Sequence, residues 1–287
     1  MSAQFKIKAA DPASVVRLER ELGLPRFIAA TLVARGIDNP AAVHRFLAPS
    51  LERDWLDPYI IPGLSDVADA LEAAVKRGDH ILVFGDFDLD GISATTVLTR
   101  GLRALGAQAT PFIPLRFEEG YALSQAAITR ACSFGPDFIV TVDCGIACKA
   151  EAAAVVEAGL GLAITAHHEP VDLVPEGVPV ADPKCDANCP SSILAGVGVA
   201  LKLVQVLGGR LGQPHLWRDF TDFATLGTVA DLMPMRDENR ALVSDGIARM
   251  NAAPRPCIAA LLATSGAADK PVSATNPSLP VIPRPNA

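Results

Sequence analysis

The spacing of apolar residues changes character near residue 76. Over residues 14–22, 26–35 and 41–47, apolar side chains recur at three- and four-residue intervals, which predicts three short helices. Gly36 and Pro40 separate the last two, and Asp57-Pro58 and Pro62-Gly63 mark a loop. Ser65 is placed to cap a fourth helix over 66–76. From His80 the pattern becomes short apolar runs: HILVFGDF (80–87), ATPFIP (109–114), DFIVTVDCG (137–145), GLAITAHH (161–168) and VPVAD (178–182). Helical segments lie between them at 93–105, 124–132 and 149–158, and helices dominate 194–251. Strands alternating with helices of this length predict an α/β fold, a parallel sheet with helices on both faces and right-handed crossovers. The expected organisation is a small helical leader at 1–75, an α/β domain at 76–255 and a poorly ordered tail at 256–287, the tail rich in Ser, Pro and Asn.

Composition narrows the class. Of 287 residues, 50% are apolar and 20% charged, which excludes wholesale disorder. The longest apolar stretches, 152–166 and 195–207, are interrupted by Glu157 and Lys202, short of the ~18 uncharged residues of a spanning helix. The first fifteen residues contain no apolar core of a secretory signal, so a soluble cytoplasmic protein without a membrane partner is expected. A net charge of −7 argues against a generic nucleic-acid coat and leaves room for an enzyme that gathers carboxylates around metal ions. Cys144/Cys148 and Cys185/Cys189 have C-x3-C spacing. Small, separately placed thiols fit them better than a zinc site, whose repeats are usually C-x2-C.

The densest chemistry is GDFDLDG, residues 85–91. In extended chain, Asp86, Asp88 and Asp90 project from one face and Phe87 and Leu89 from the other. Two carboxylates about 4 Å apart repel by about 4 kcal/mol at an effective dielectric of about 20. Hard divalent cations are the natural compensation. Asp143 closes the third strand, and His167 and His168 close the fourth. In open parallel sheets, ligands bind beyond the carboxyl ends of the strands, so three strand ends converge on one candidate metal centre. Asp231, in TVADLMP (228–234), is a further candidate.

GDFDLDG, VDCG, AHHEP and GTVADLMP, in this order, resemble motifs I to IV of the DHH phosphoesterase family. The segments 35–64, 114–124 (PLRFEEGYALS), 182–203 and 237–247 resemble its branch of single-strand-specific 5′-to-3′ DNA exonucleases, and the likeness extends to about residue 260. The resemblance implies a DHH domain at 76–255 and phosphodiester hydrolysis with two Mn2+ or Mg2+ ions on single-stranded DNA. By motif, Asp88, Asp90, Asp143, His167 and Asp231 match metal ligands, and Asp86 lies at or beside the metals. His168 matches the histidine facing the scissile phosphate, and Arg116 an arginine near the 5′ end. A stand-alone phosphoesterase on short oligonucleotides or cyclic dinucleotides, and a non-catalytic binding module, are the alternatives.

Two departures stand out. Ala166 occupies the first position of the Asp-His-His motif, where a methyl neither accepts a hydrogen bond nor balances metal charge, so weakened activity is expected. The chain ends at IPRPNA (282–287), with Pro285 where the family has an apolar residue. The resemblance places a second catalytic domain and a nucleic-acid-binding domain after this point, so a truncated chain is expected.

Overall fold

The computed structural model describes residues 8–265 and 271–273. The chain opens with α1 (Pro12–Leu22), α2 (Arg26–Ala34) and α3 (Pro40–Leu47). Asp11 caps α1 by accepting the Ser14 N–H, Asn39 caps α3 by accepting that of Ala42, and both helices begin with proline, whose fixed φ suits a first turn. Val15, Leu18, Ala29, Leu32, Val33 and Val43 form a small core of their own. After α4 (Leu51–Asp54) comes α5 (Leu64–Arg77).

The cap expected at Ser65 is not the one used: α5 starts at Leu64 behind Gly63, whose φ is 72°, and no side chain caps it. A Cβ on Gly63 would lie 1.8 Å from the Val180 carbonyl oxygen, so only glycine lets this turn approach the sheet. Leu51, Trp55, Leu64, Val67 and Leu71 pack into the main core. The separate helical core of the leader is therefore that of α1–α3.

The sheet comprises β1 (His80–Phe84), β2 (Gln108–Phe112), β3 (Phe138–Val142), β4 (Gly161–Thr165) and β5 (Val180–Ala181), in the order β2-β1-β3-β4-β5, all parallel. Helices α6 (Leu89–Ala104), α7 (Gln125–Cys132) and α8 (Lys149–Glu157) connect successive strands. Alternation assigns each strand residue to a face. Ile81, Val83, Val140 and Ala163 join the core built with α5, α6 and α9 (Gly196–Arg210). Leu82, Phe84, Ile139, Leu162 and Ile164 join the one built with α7 and α8. Because β2 and β3 lie on opposite sides of β1, the topological switch point falls between β1 and β3, the place at whose carboxyl ends open α/β sheets bind their ligands.

Three further helices, α10 (Thr221–Ala230), α11 (Asp237–Ala252) and α12 (Pro256–Thr264), complete the described chain. Residues expected in a poorly ordered tail are thus helical through Thr264, with Ile258 buried in the main core; 266–270 and 274–287 lie outside the described residues.

Inside this core, Lys202 on α9 is fully buried against Glu238 on α11. Its Nζ donates to Glu238 and to the Leu56 carbonyl and lies 3.8 Å from the centre of the Trp55 ring. Glu238 also accepts from Ser191 Oγ and from the Leu56 N–H at 3.0 Å. The charge that interrupts an apolar run in the sequence is thus the hub of an internal polar network. No described helix is long and apolar enough to cross a membrane.

Candidate metal centre

The acidic triplet does not continue β1. The strand stops at Phe84, and the chain turns at once into α6. Asp88 is the N-cap of α6, accepting the Gly91 N–H at 2.8 Å, and Asp90 lies in the first turn. The extended chain with three carboxylates on one face is therefore corrected, as is the helix start expected at 93. Asp and Gly at these spacings satisfy the orphan N–H groups of a helix terminus better than they extend a strand.

The turn divides the carboxylates between neighbouring groups. Asp86 and Asp88 meet Asp143, while Asp90 meets His167 and Asp231; Asp143 also meets His167 and His168. In each of these three groups the ligand atoms lie within 4.8 Å of one another. Asp143 thus belongs to two of the groups. It follows β3 with φ 60°, a left-handed conformation that aspartate tolerates better than most residues. Asp231 is the C-cap of α10. Asp90, almost fully buried, accepts the N–H groups of Gly196 and Val197 at 2.7 and 3.0 Å, which ties it to the amino end of α9.

The electrostatics follow from burial. Loss of solvent pushes Asp86 up to about 6 and also raises Asp88, Asp90 and Asp231, with the neighbouring carboxylates adding to the shift. At Asp143 burial acts in the same direction, but the two histidines outweigh it and hold the carboxyl below its usual range. His168 is pushed up to about 9, chiefly by the Asp143 carboxylate, whose Oδ1 lies 3.4 Å from its Nε2.

Donor atoms without partners test whether a cation fits. Asp143 Oδ1 and both ring nitrogens of His167 are buried without hydrogen bonds among the described residues. His167 Nε2 lies 3.0 Å from Asp143 Oδ1 and 3.6 Å from both Asp90 Oδ2 and Asp231 Oδ2. The closest pair lacks the alignment of a hydrogen bond, so these atoms converge without satisfying one another. Carboxylate oxygens with one imidazole nitrogen form a donor set suited to divalent manganese or magnesium, and the residues fit such an ion.

Arg116 belongs to none of these groups. Its guanidinium stacks over Phe87, 4.7 Å from the ring centre, and Phe87 meets Tyr121 edge-on. Burial and the charges of Asp86 and Asp143 raise the Tyr121 hydroxyl, which places this tyrosine within the field of the carboxylates. Ala166 is fully buried, and its N–H donates to the Ala181 carbonyl. The thiols stand on separate elements: Cys144 donates to the Phe84 carbonyl and Cys189 to that of Ile60.

Three glycines inside the quoted segments have roles that only the structure reveals. A Cβ on Gly91 would meet Asp86 Cβ at 2.6 Å, one on Gly196 would meet Asp143 Oδ1 at 2.5 Å, and one on Gly227 would meet Asp90 Oδ1 at 2.6 Å. Each carboxylate is seated against bare backbone. Gly196→Ala is expected to weaken Mn2+ binding by about tenfold or more, as loss of a supporting contact commonly does, although alanine favours a helix by about 1 kcal/mol. Calorimetric titration checks this, and an unchanged affinity would separate Gly196 from the centre. Asp182, fully buried at the end of β5, is a second omission. The strand-end rule that selects Asp143 and His167 applies equally to VPVAD.

A parallel α/β sheet with carboxylates and paired histidines gathered at its switch point defines a metal-site protein of the DHH type. The DHH family's N-terminal domain matches residues 80–228, and the chain belongs to this family. It is 36% identical over 265 residues to the single-stranded-DNA-specific exonuclease RecJ of Bacillus subtilis, covering 92% of this chain and 33% of that protein. With the RecJ of Thermus thermophilus it shares 39% identity over 204 residues, 70% of this chain and 30% of that protein. A crystal structure of exonuclease RecJ bound to manganese superposes with a TM-score of 0.72 at 36% identity, over 79% of this chain and 57% of that one. RecJ from Thermus thermophilus with Mn2+ superposes with a TM-score of 0.79 at 31% identity, over 96% and 39%. The chain spans about a third of the length of the two curated relatives.

Proposed function

We propose that this chain is the DHH-domain part of a single-strand-specific 5′-to-3′ DNA exonuclease that hydrolyses phosphodiester bonds with two Mn2+ or Mg2+ ions, acting in cytoplasmic DNA repair and recombination. The observation that carries the reading is the convergence of Asp143 Oδ1 and His167 Nε2, buried and unpartnered, with the carboxylates of Asp90 and Asp231. Similarity to RecJ proteins supports the choice of substrate.

Asp90, His167 and Asp231 would hold one ion and Asp86, Asp88 and Asp143 the other, with Asp143 common to both neighbourhoods. When bound, a pair of divalent cations supplies a nucleophile at neutral pH and steadies the attacking and leaving oxygens of an in-line displacement. The protein contributes placement. Asp88 and Asp90 are fixed by helix N–H groups and Asp143 by its turn. The His168 side chain is partly exposed and holds its Nε2 3.1 Å from the Asp143 carbonyl oxygen, which leaves Nδ1 to offer an N–H to a phosphate oxygen. At the rim, Arg116, Phe117 and Tyr121 combine positive charge with exposed aromatic faces, the combination that holds single strands by stacking and phosphate contact.

The test compares 5′-labelled single- and double-stranded DNA with Mn2+. Mononucleotide release from the single strand is expected, abolished by a chelator and much slower on the duplex. Equal digestion of both would remove strand specificity from the reading. The missing carboxylate at Ala166 lowers the rate expected from the motif without removing a proposed ligand.

A further inference from the structure

Asp182 carries more than its place at the end of β5 suggests. It is fully buried, and its Oδ1 accepts the Lys184 N–H at 2.8 Å, while Oδ2 has no partner among the described residues. The ammonium group of Lys184 is engaged elsewhere, 3.2 Å from Glu169. Such a group is costly to leave unsatisfied and calls for an explanation.

The register supplies one. Thr165 pairs with Ala181, and the Ala166 N–H donates to the Ala181 carbonyl at 3.1 Å, so Asp182 is the cross-strand neighbour of Ala166 and adjoins His167. His167 has the complementary defect. Its Nε2 points among the carboxylates, and its Nδ1 is buried without a partner. A histidine that offers one ring nitrogen to a metal commonly donates the other N–H to a carboxylate, which fixes the ring and raises its basicity. A buried acceptor and a buried donor, each unpaired, thus stand at the ends of neighbouring strands.

We propose that Asp182 is a positioning residue of the metal centre, its Oδ2 accepting the Nδ1 proton of His167 through one bridging water, and so supplying from the end of β5 the carboxylate that position 166 lacks after β4. The proposal rests on the metal-centre reading above. For metal affinity, as distinct from rate, it makes Ala166 a tolerated change, because an acid survives one strand away.

The experiment combines Asp182→Ala, Asp182→Asn and Ala166→Asp, singly and in pairs. Its readouts are calorimetric Mn2+ titration and nitrogen-edited NMR of the histidine rings in metal-free protein. Asp182→Ala is expected to weaken Mn2+ binding by about 10–100-fold. Asp182→Asn, which keeps an acceptor oxygen and is the gentler change to the fold, should lose less. Ala166→Asp should restore at least about tenfold of the loss in the Asp182→Ala background. In the parent it should alter affinity by no more than about twofold, the scatter of uncoupled changes. The metal-free spectra should show an exchange-protected Nδ1 proton on His167 that Asp182→Ala removes.

Parent-like Mn2+ affinity in both Asp182 variants would overturn the proposal, as would an equal benefit of Ala166→Asp in both backgrounds. Failure of the parent itself to bind Mn2+ would overturn the metal reading. The Nδ1 signal then judges the Asp182–His167 contact by itself, and its persistence in Asp182→Ala, which has no acceptor there, would refute it.

Discussion

Replacing Asp143 by alanine is expected to abolish the response of this protein to Mn2+. In the parent, an ion bound only by the folded state at about 100 times its dissociation constant adds about 2.7 kcal/mol of stability. For a domain of this size that corresponds to a rise in Tm of about 5–10 °C. Asp143 belongs to two of the three ligand groups and touches both histidines, so its loss removes a donor from each neighbourhood at once. The Asp143→Ala Tm should be the same with Mn2+ as with chelator, and its calorimetric affinity should fall by more than about 100-fold, beyond the range for an outer support. Without metal the substitution should cost little, because it also relieves repulsion on Asp86, Asp88 and Asp90. A parent-like Mn2+ shift in the variant would remove Asp143 from the centre.

The largest effect on stability is expected far from the metals, at Glu238. Glu238→Ala strands the Lys202 ammonium in a site with no solvent and deprives Ser191 and the Leu56 N–H of their acceptor. Breaking one partner of a buried pair costs about 3–5 kcal/mol. Denaturant titration should show that loss as a lower midpoint at unchanged slope, with a fall in Tm of about 10 °C. Burial already lowers the Lys202 pKa, so the stranded group can shed its proton, which limits the penalty. Replacing both members, as Lys202→Met with Glu238→Leu, should recover part of the loss, since the charges go together while Ser191 and Leu56 remain unsatisfied. A double variant as unstable as the sum of the two singles would show that the ion pair is not the coupled unit.

Periodicity made the parallel sheet and most of its helices legible, because a strand buried on both faces is a short apolar run and a covering helix an apolar stripe. It misjudged places where local chemistry competes with pattern. GDFDLDG alternates like a strand, yet the N–H groups at the start of α6 recruit Asp88 as their cap and draw the segment into helix. Ser65 has the composition of a cap, but Gly63 meets the turn because only a residue without Cβ passes Val180. The stretch from 256 to 264 lacks polar punctuation of its own, and burial of Ile258 against the main core determines its helix.

For the candidate site, the residue types and their strand-end positions were readable in the chain, since hard-cation chemistry calls for carboxylates and imidazole wherever they lie in sequence. Which carboxylate joins which group was not. Asp86 and Asp90 are four residues apart, yet they serve different clusters, and Asp231 reaches His167 from the far end of α10. The sequence by itself determined the elements, the sheet class and the list of donors, because these depend on local spacing and side-chain chemistry. Only the tertiary structure decided their partnerships, the glycine seats beneath them and the pairing of Lys202 with Glu238. Those depend chiefly on distances between segments far apart in the chain, 36 residues for Lys202 and Glu238 and 106 for Asp90 and Gly196, which are set when the two faces of the sheet are packed.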